Sequence, residues 1–161
     1  MKTVRECGGS KELITGTFGR TSAPRWPYTG SGSGGGMVVG IGTDIIENQR
    51  IERSIARFGD AFLQRIFTPG EVAYCQAKKN FGESFAARFA AKEAGAKALG
   101  TGISRGVSWR EFEVTRKPGQ RPELRLTGRA KEIADRLGVR RLSLSLTHSR
   151  DVAMAVVIAE D

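Results

Sequence analysis

The sequence predicts an α+β fold, an antiparallel sheet carried on one long central helix. Three observations point there. Residues 85–100 hold seven alanines with no proline and no β-branched residue, the composition of a strong helix. Residues 37–44 form a short apolar run with two glycines, which reads as a buried strand. After Gly100, paired segments of alternating or continuous apolar character are joined by turn residues, which reads as hairpins. Helices and strands are mixed and hairpins dominate, the α+β pattern.

Taken in order, residues 1–36 differ in composition from the rest of the chain. They carry nine of the 21 glycines and end in Ser-Gly-Ser-Gly-Gly-Gly, a flexible-coil composition. They are expected to be a disordered leader or linker; Trp26 leaves a docking role open. Residues 37–161 are expected to be the folded domain. Met37 to Asp44 is its first strand. Gly40 and Gly42 predict close approach of another backbone. A dinucleotide-binding fingerprint fits poorly, because the third glycine is missing and no βαβ unit follows. Asp44 has two readings at this point, a helix N-cap or a metal ligand.

Ile45 to Phe58 is expected as an amphipathic helix with Ile51, Ile55 and Phe58 on its apolar face. Arg50, Arg53 and Arg57 form one basic ridge on it, which reads either as a solvated face or as a docking surface. Gly59 ends that helix, and Ala61 to Ile66 forms a short second one. Thr68-Pro69-Gly70-Glu71 supplies an N-cap, a proline at N1 and an acid in the first turn of a third helix, to about Lys78.

The central helix is expected from Gly82 to Leu99, stopped by Gly100. Phe85, Phe89, Ala96 and Leu99 share one apolar arc. Glu93 stands at the edge of that arc, Lys92 inside it, Arg88 on its other flank and Lys97 one turn beyond Glu93. A plain account exists: Glu93 and Lys97 as a surface ion pair, Arg88 and Lys92 as long side chains at a core margin. Beyond it, Glu111 to Arg116 and Pro122 to Leu126 are expected as a hairpin, Thr127 to Leu137 as a short helix, and Leu142 to Thr147 with Val152 to Ala159 as a final hairpin. The last strand is nearly all apolar and is expected to be central. His148, the one histidine in the chain, falls where a strand meets the turn His148-Ser-Arg-Asp151. With no His/Cys cluster, a zinc site is not expected.

The chain has 161 residues, a net charge of +9 and a pI near 10.2. The leader carries +3 and the domain +6, so the domain is basic in its own right. This favours an anionic partner without choosing one. No apolar run reaches membrane-spanning length and no secretory signal pattern opens the chain. Two cysteines, Cys7 and Cys75, make neither a disulfide framework nor a metal spacing. The cytoplasm is the expected compartment.

Three stretches together carry a resemblance: Gly40-Ile-Gly-Thr-Asp44; Phe89-Ala-Ala-Lys92-Glu93-Ala94 with Lys97-Ala-Leu-Gly-Thr-Gly102; and Ser145-Leu-Thr-His148-Ser149. In order and spacing they resemble the bacterial holo-acyl-carrier-protein synthases, the short, single-domain 4′-phosphopantetheinyl transferases. The resemblance covers nearly all of residues 37–161. It implies the 4′-phosphopantetheinyl transferase-like fold, a homotrimer with active sites shared between neighbours, and transfer of the 4′-phosphopantetheine arm of coenzyme A to a serine of apo acyl carrier protein. It implies Mg²⁺ on Asp44 and Glu93; catalytic roles for Glu93, Lys97 and His148; coenzyme A contacts from Arg88, Lys92, Lys97, Thr147 and His148; and docking of the acidic carrier protein on Arg50 and Arg57, with Arg53 added by helical geometry. Larger relatives often carry a further acid where this chain has Ile46, a place left to water. The general base stays open among a metal-bound water, Glu93 and Glu71. Two other classes compete. A basic nucleic-acid-binding module explains the charge but not the acids on apolar elements, and no aromatics interleave with the arginines. A non-catalytic assembly protein would tolerate loss of both acids. Neither nucleic acid nor membrane is the expected partner.

Overall fold

The computed structural model describes residues 36–104 and 106–161. The expectations for the leader, Trp26 and Cys7 lie outside the described residues. Strand β1 (Val38–Glu47) leads into helix α1 (Asn48–Ile66), followed by α2 (Pro69–Gln76) and α3 (Phe81–Ala98). A single 3₁₀ turn (Trp109–Glu111) precedes the hairpin β2 (Phe112–Thr115) and β3 (Glu123–Leu126). Helix α4 (Gly128–Arg136) and the hairpin β4 (Arg141–His148) and β5 (Val152–Glu160) complete the chain. The sheet order is β1-β5-β4, all antiparallel, with β2-β3 as a second antiparallel pair. The apolar strand β5 is central, as its composition predicts.

Helix α3 is the spine of the domain. Its small side chains let it be buried almost all round: Ala86, Ala90, Ala91, Ala94 and Ala96 have no exposed surface. The approach to β1 is made by glycine. A Cβ on Gly42 would overlap the carbonyl oxygen of Ala94, and one on Gly40 that of Ala98. The alanines of β5, Ala153, Ala155 and Ala159, are buried in the same sheet. Glycine and alanine thus set the spacing between strand and helix, and with it the separation of Asp44 from the acids and bases of α3. The helix stops where expected: Gly100, at φ 69°, donates its N–H to Lys97 O at 2.9 Å.

One boundary differs from expectation. β1 runs on through Ile45 and Ile46 to Glu47, which pairs with Val152, so the first helix begins at Asn48 and not at Ile45. Pairing with the central strand outlasts the local helix signal. Asn48 fixes the junction: its Nδ2 donates to Ser149 O at 2.9 Å and Arg150 O at 3.0 Å, tying the β4–β5 turn to the helix start. Gly59 is the break expected: it leaves helical geometry at φ 54° and ψ −136°, and a second helical segment follows it to Ile66. The break leaves Phe58 exposed, where an apolar-face position was expected; Arg57 covers its ring at 5.0 Å. The start of α2 is as read: Thr68 and Glu71 form a reciprocal capping box with Pro69 in the first turn.

Candidate functional site

The predicted site residues separate into two clusters on opposite flanks of α3. The first joins β1 to the C-terminal half of the helix. Asp44 is on the helix-facing side of β1, alternating with Gly42 and Ile46. It is therefore mid-strand and not a helix cap. Its Oδ1 accepts from Lys97 Nζ at 2.8 Å, and the same ammonium donates to Thr43 O at 3.0 Å. Lys97 thus pairs across to the strand rather than back along the helix to Glu93. Glu93 is half-buried one turn before Lys97, and its Oε1 accepts from the indole Nε1 of Trp109 at 2.7 Å. Trp109 stacks on Phe89 with ring centroids 6.3 Å apart. Among the described residues no group of three or more His, Cys, Asp or Glu side chains is placed to hold a metal ion. Two carboxylates with free oxygens suit a hard divalent ion that takes its other ligands from phosphate and water.

The second cluster is nine residues, roughly half a turn of rotation, away from Lys97 around the helix. Arg88 is 5% exposed and lies over the Tyr74 ring at 4.1 Å. Its Nη1 donates to Ser84 O at 3.3 Å, while its Nε is buried without a partner. Such a donor is costly to leave unpaired. Arg88 also borders a cavity of about 240 Å³ lined by Tyr74, Arg88, Arg116, Pro122, Leu146 and His148, among others. His148 is the last residue of β4 and half-exposed; its Nδ1 stands 3.4 Å from Glu83 Oε2. Arg116 has no counterpart in the reading of the sequence. Its signal was its place at the mouth of the β2–β3 hairpin, opposite Pro122. Thr147 points to the other face of the sheet from His148, by strand alternation.

Lys92 corrects an expectation. Its ammonium has no exposed surface and faces Glu71 Oε2 at 2.8 Å, Phe112 O at 2.6 Å and Trp109 O at 3.1 Å. All three protons are committed inside the domain, so Lys92 offers coenzyme A nothing and is also no surface side chain. Burial pushes its pKa below the usual lysine value, with the Glu71 carboxylate opposing that shift. Glu71 also accepts from Thr68 N at 2.9 Å and Val114 N at 2.9 Å. It is 2% exposed, which removes it as a general base. The reason for the misreading is the β2–β3 pair, which covers the side of α3 that a single helix projection leaves open.

Arg50, Arg53 and Arg57 are all exposed on α1. Arg53 Nη2 donates to Gln49 Oε1 at 2.8 Å. No helix among the described residues is long and apolar enough to cross a membrane.

A model of the 4′-phosphopantetheinyl transferase superfamily matches residues 40–157. The holo-[acyl-carrier-protein] synthase of Koribacter versatilis is 55% identical over 125 residues, which are 78% of this chain and all of the relative. Among solved structures, the holo-[acyl-carrier-protein] synthase of Neisseria meningitidis superposes with a TM-score of 0.71 at 40% identity, over 78% of this chain and all of that one. The Helicobacter pylori enzyme, solved in complex with coenzyme A, superposes at 0.66 and 36% identity, over 74% and 98% of the two chains.

Proposed function

Since the chain belongs to the 4′-phosphopantetheinyl transferase superfamily, we propose a division of labour for the transfer it carries out. The reaction moves the 4′-phosphopantetheine arm of coenzyme A to a serine of apo acyl carrier protein, giving holo carrier protein and adenosine 3′,5′-bisphosphate. The serine oxygen attacks the phosphorus bearing the arm, the bond to the bisphosphate breaks, and the serine proton passes to a base other than buried Glu71. The observation that carries this reading is the pair of half-built sites: carboxylates with a lysine on one flank of α3, and an unpartnered buried Arg88 donor beside His148 on the other.

Asp44 and Glu93 would hold Mg²⁺, which when bound neutralises pyrophosphate charge. Lys97, half-exposed and already aimed at Asp44, supplies a cation to the same phosphates as charge builds on the leaving bisphosphate. Arg88, Arg116 and His148 bind a phosphate of the nucleotide end in their cavity. Thr147 lies beyond the strand from that cavity and would reach the nucleotide only from a neighbour's side.

Because the clusters face away from each other, we infer a site completed between copies of the chain, in a homotrimer. The surface for such contact is the outer face of β1 and β5. Ile41 and Ile45 are 61% and 65% exposed there, next to Met154, and a bare apolar sheet face of this kind marks an interaction site. The basic ridge Arg50, Arg53 and Arg57 would receive the acidic carrier protein, and the cytoplasm is where this reading puts the enzyme with its substrates. The nucleic-acid alternative finds no support. The test is mass spectrometry of an apo carrier protein incubated with the enzyme, coenzyme A and Mg²⁺. Addition of the phosphopantetheine mass, abolished by EDTA, is expected; no mass change with several bacterial carriers would refute the reading.

A further inference from the structure

Trp109 is held by four contacts. Its ring stacks on Phe89 at 6.3 Å and an interplanar angle of 30°. The Arg65 guanidinium also lies over the ring, 5.8 Å from the centroid. Its carbonyl accepts from the buried Lys92 ammonium at 3.1 Å. Its indole N–H donates to Glu93 Oε1 at 2.7 Å. Trp109 also opens the 3₁₀ turn that leads into β2, so its backbone cannot drift without disturbing the hairpin. The outcome of so many restraints is a single N–H aimed at a single carboxylate oxygen. Among the described residues Glu93 Oε1 has this one donor, and Oε2 has no hydrogen-bond partner.

We propose that Trp109 is a positioning residue that fixes the rotamer of the Glu93 carboxylate, so that Oε2 is presented to the divalent ion and Oε1 is withheld. The proposal rests on the reading of Glu93 as a metal ligand. Glutamate has three side-chain torsions, and an unrestrained carboxylate on a helix samples several orientations. A charge-assisted hydrogen bond from a rigid, stacked donor removes that freedom before the ion arrives. Outer partners of this kind orient ligating carboxylates, and their loss typically costs ten- to a hundredfold in metal affinity. Phenylalanine at this place would keep the stacking and lose the donor, which separates the two contributions of the side chain.

The test is Mn²⁺ affinity, read from the electron paramagnetic resonance signal of the free ion, with the full chain and saturating coenzyme A. Melting temperature is recorded beside it. Trp109→Phe is expected to weaken Mn²⁺ binding on the order of tenfold. Glu93→Gln is expected to weaken it as well, and the double variant to bind no worse than Glu93→Gln alone, because Trp109 acts through Glu93. Phe89→Leu disturbs the stacking without touching the donor and should leave most of the affinity in place. If Trp109→Phe binds Mn²⁺ like wild type while Glu93→Gln does not, the indole only packs and the proposal is wrong. Equal losses for Phe89→Leu and Trp109→Phe would also overturn it, since packing rather than the N–H would then carry the effect. If Glu93→Gln itself binds Mn²⁺ normally, the metal reading beneath the proposal fails, and the proposal with it.

Discussion

Among single residues, Lys92 and Arg88 show how burial separates two cations one turn apart. Lys92 has its partners inside the domain; Arg88 has a buried donor left over and borders a cavity. Lys92→Met would leave Glu71 as a buried charge without its cation, a change that costs about 3–5 kcal/mol. The expected outcome is a large fall in chemical-denaturation stability, with an unchanged KM for coenzyme A in the protein that remains folded. A raised KM at normal stability would return Lys92 to the nucleotide site. Cys75 gives a second readout. Burial is the main cause that pushes its thiol up from 9.0 to about 11. An acid group whose folded pKa is raised keeps its contribution intact below about pH 9.0 and loses it as pH climbs toward 11. Alkylation of Cys75 at pH 8, followed by peptide mass spectrometry, is therefore expected to be negligible in the native protein and to track unfolding. Fast labelling of the native state would contradict the burial.

At the scale of elements, the decisive contact is β1 against α3. Gly42→Ala places a methyl group onto the Ala94 carbonyl and within 2.5 Å of Ala98 N, both backbone. Neither can rotate away, so the strand must shift. A loss of about 3 kcal/mol is expected, together with poorer metal binding as Asp44 moves from its place beside Lys97. A fully stable Gly42→Ala variant would show that the strand has slack. This contact was legible in the sequence, because two glycines in an apolar strand and a run of alanines have few other uses. The central place of β5 was legible for a similar reason: Val152 to Ala159 carries almost no polar residue. The start of α1 was not legible. Ile45 and Ile46 suit helix or strand, and only pairing with Met154 and Ala153 decides between them. The second cluster was half legible. Arg88 and His148 stood out by motif, whereas Arg116 joins them through hairpin geometry that no local pattern encodes. Lys92 was misread because its partner, Glu71, looked like an ordinary first-turn acid, as it also is.

The whole molecule is basic, its domain is apolar on one sheet face, and the site proposed for it is divided into two separate halves. The exposed ridge of Arg50, Arg53 and Arg57 gives the charge a direction. Exposed charges act mainly on encounter rates and are screened by salt. Reversal of Arg50 or Arg57 to Glu is expected to raise the KM for carrier protein several-fold at low salt and to flatten its salt dependence, with the KM for coenzyme A unmoved. An unchanged carrier KM would make the ridge a solvated face. The division into halves makes the sharper demand, and subunit complementation tests it most directly. On the proposed division of labour, Asp44→Asn would disable the carboxylate half and Arg88→Ala the phosphate half. Each variant alone is expected to be nearly inactive. Co-refolded in equal amounts, the two are expected to regain a substantial fraction of wild-type transfer, because some sites then combine an intact Asp44 from one copy with an intact Arg88 from another. Mixed oligomers that form but stay as inactive as the separate variants would show that each chain carries a complete site of its own.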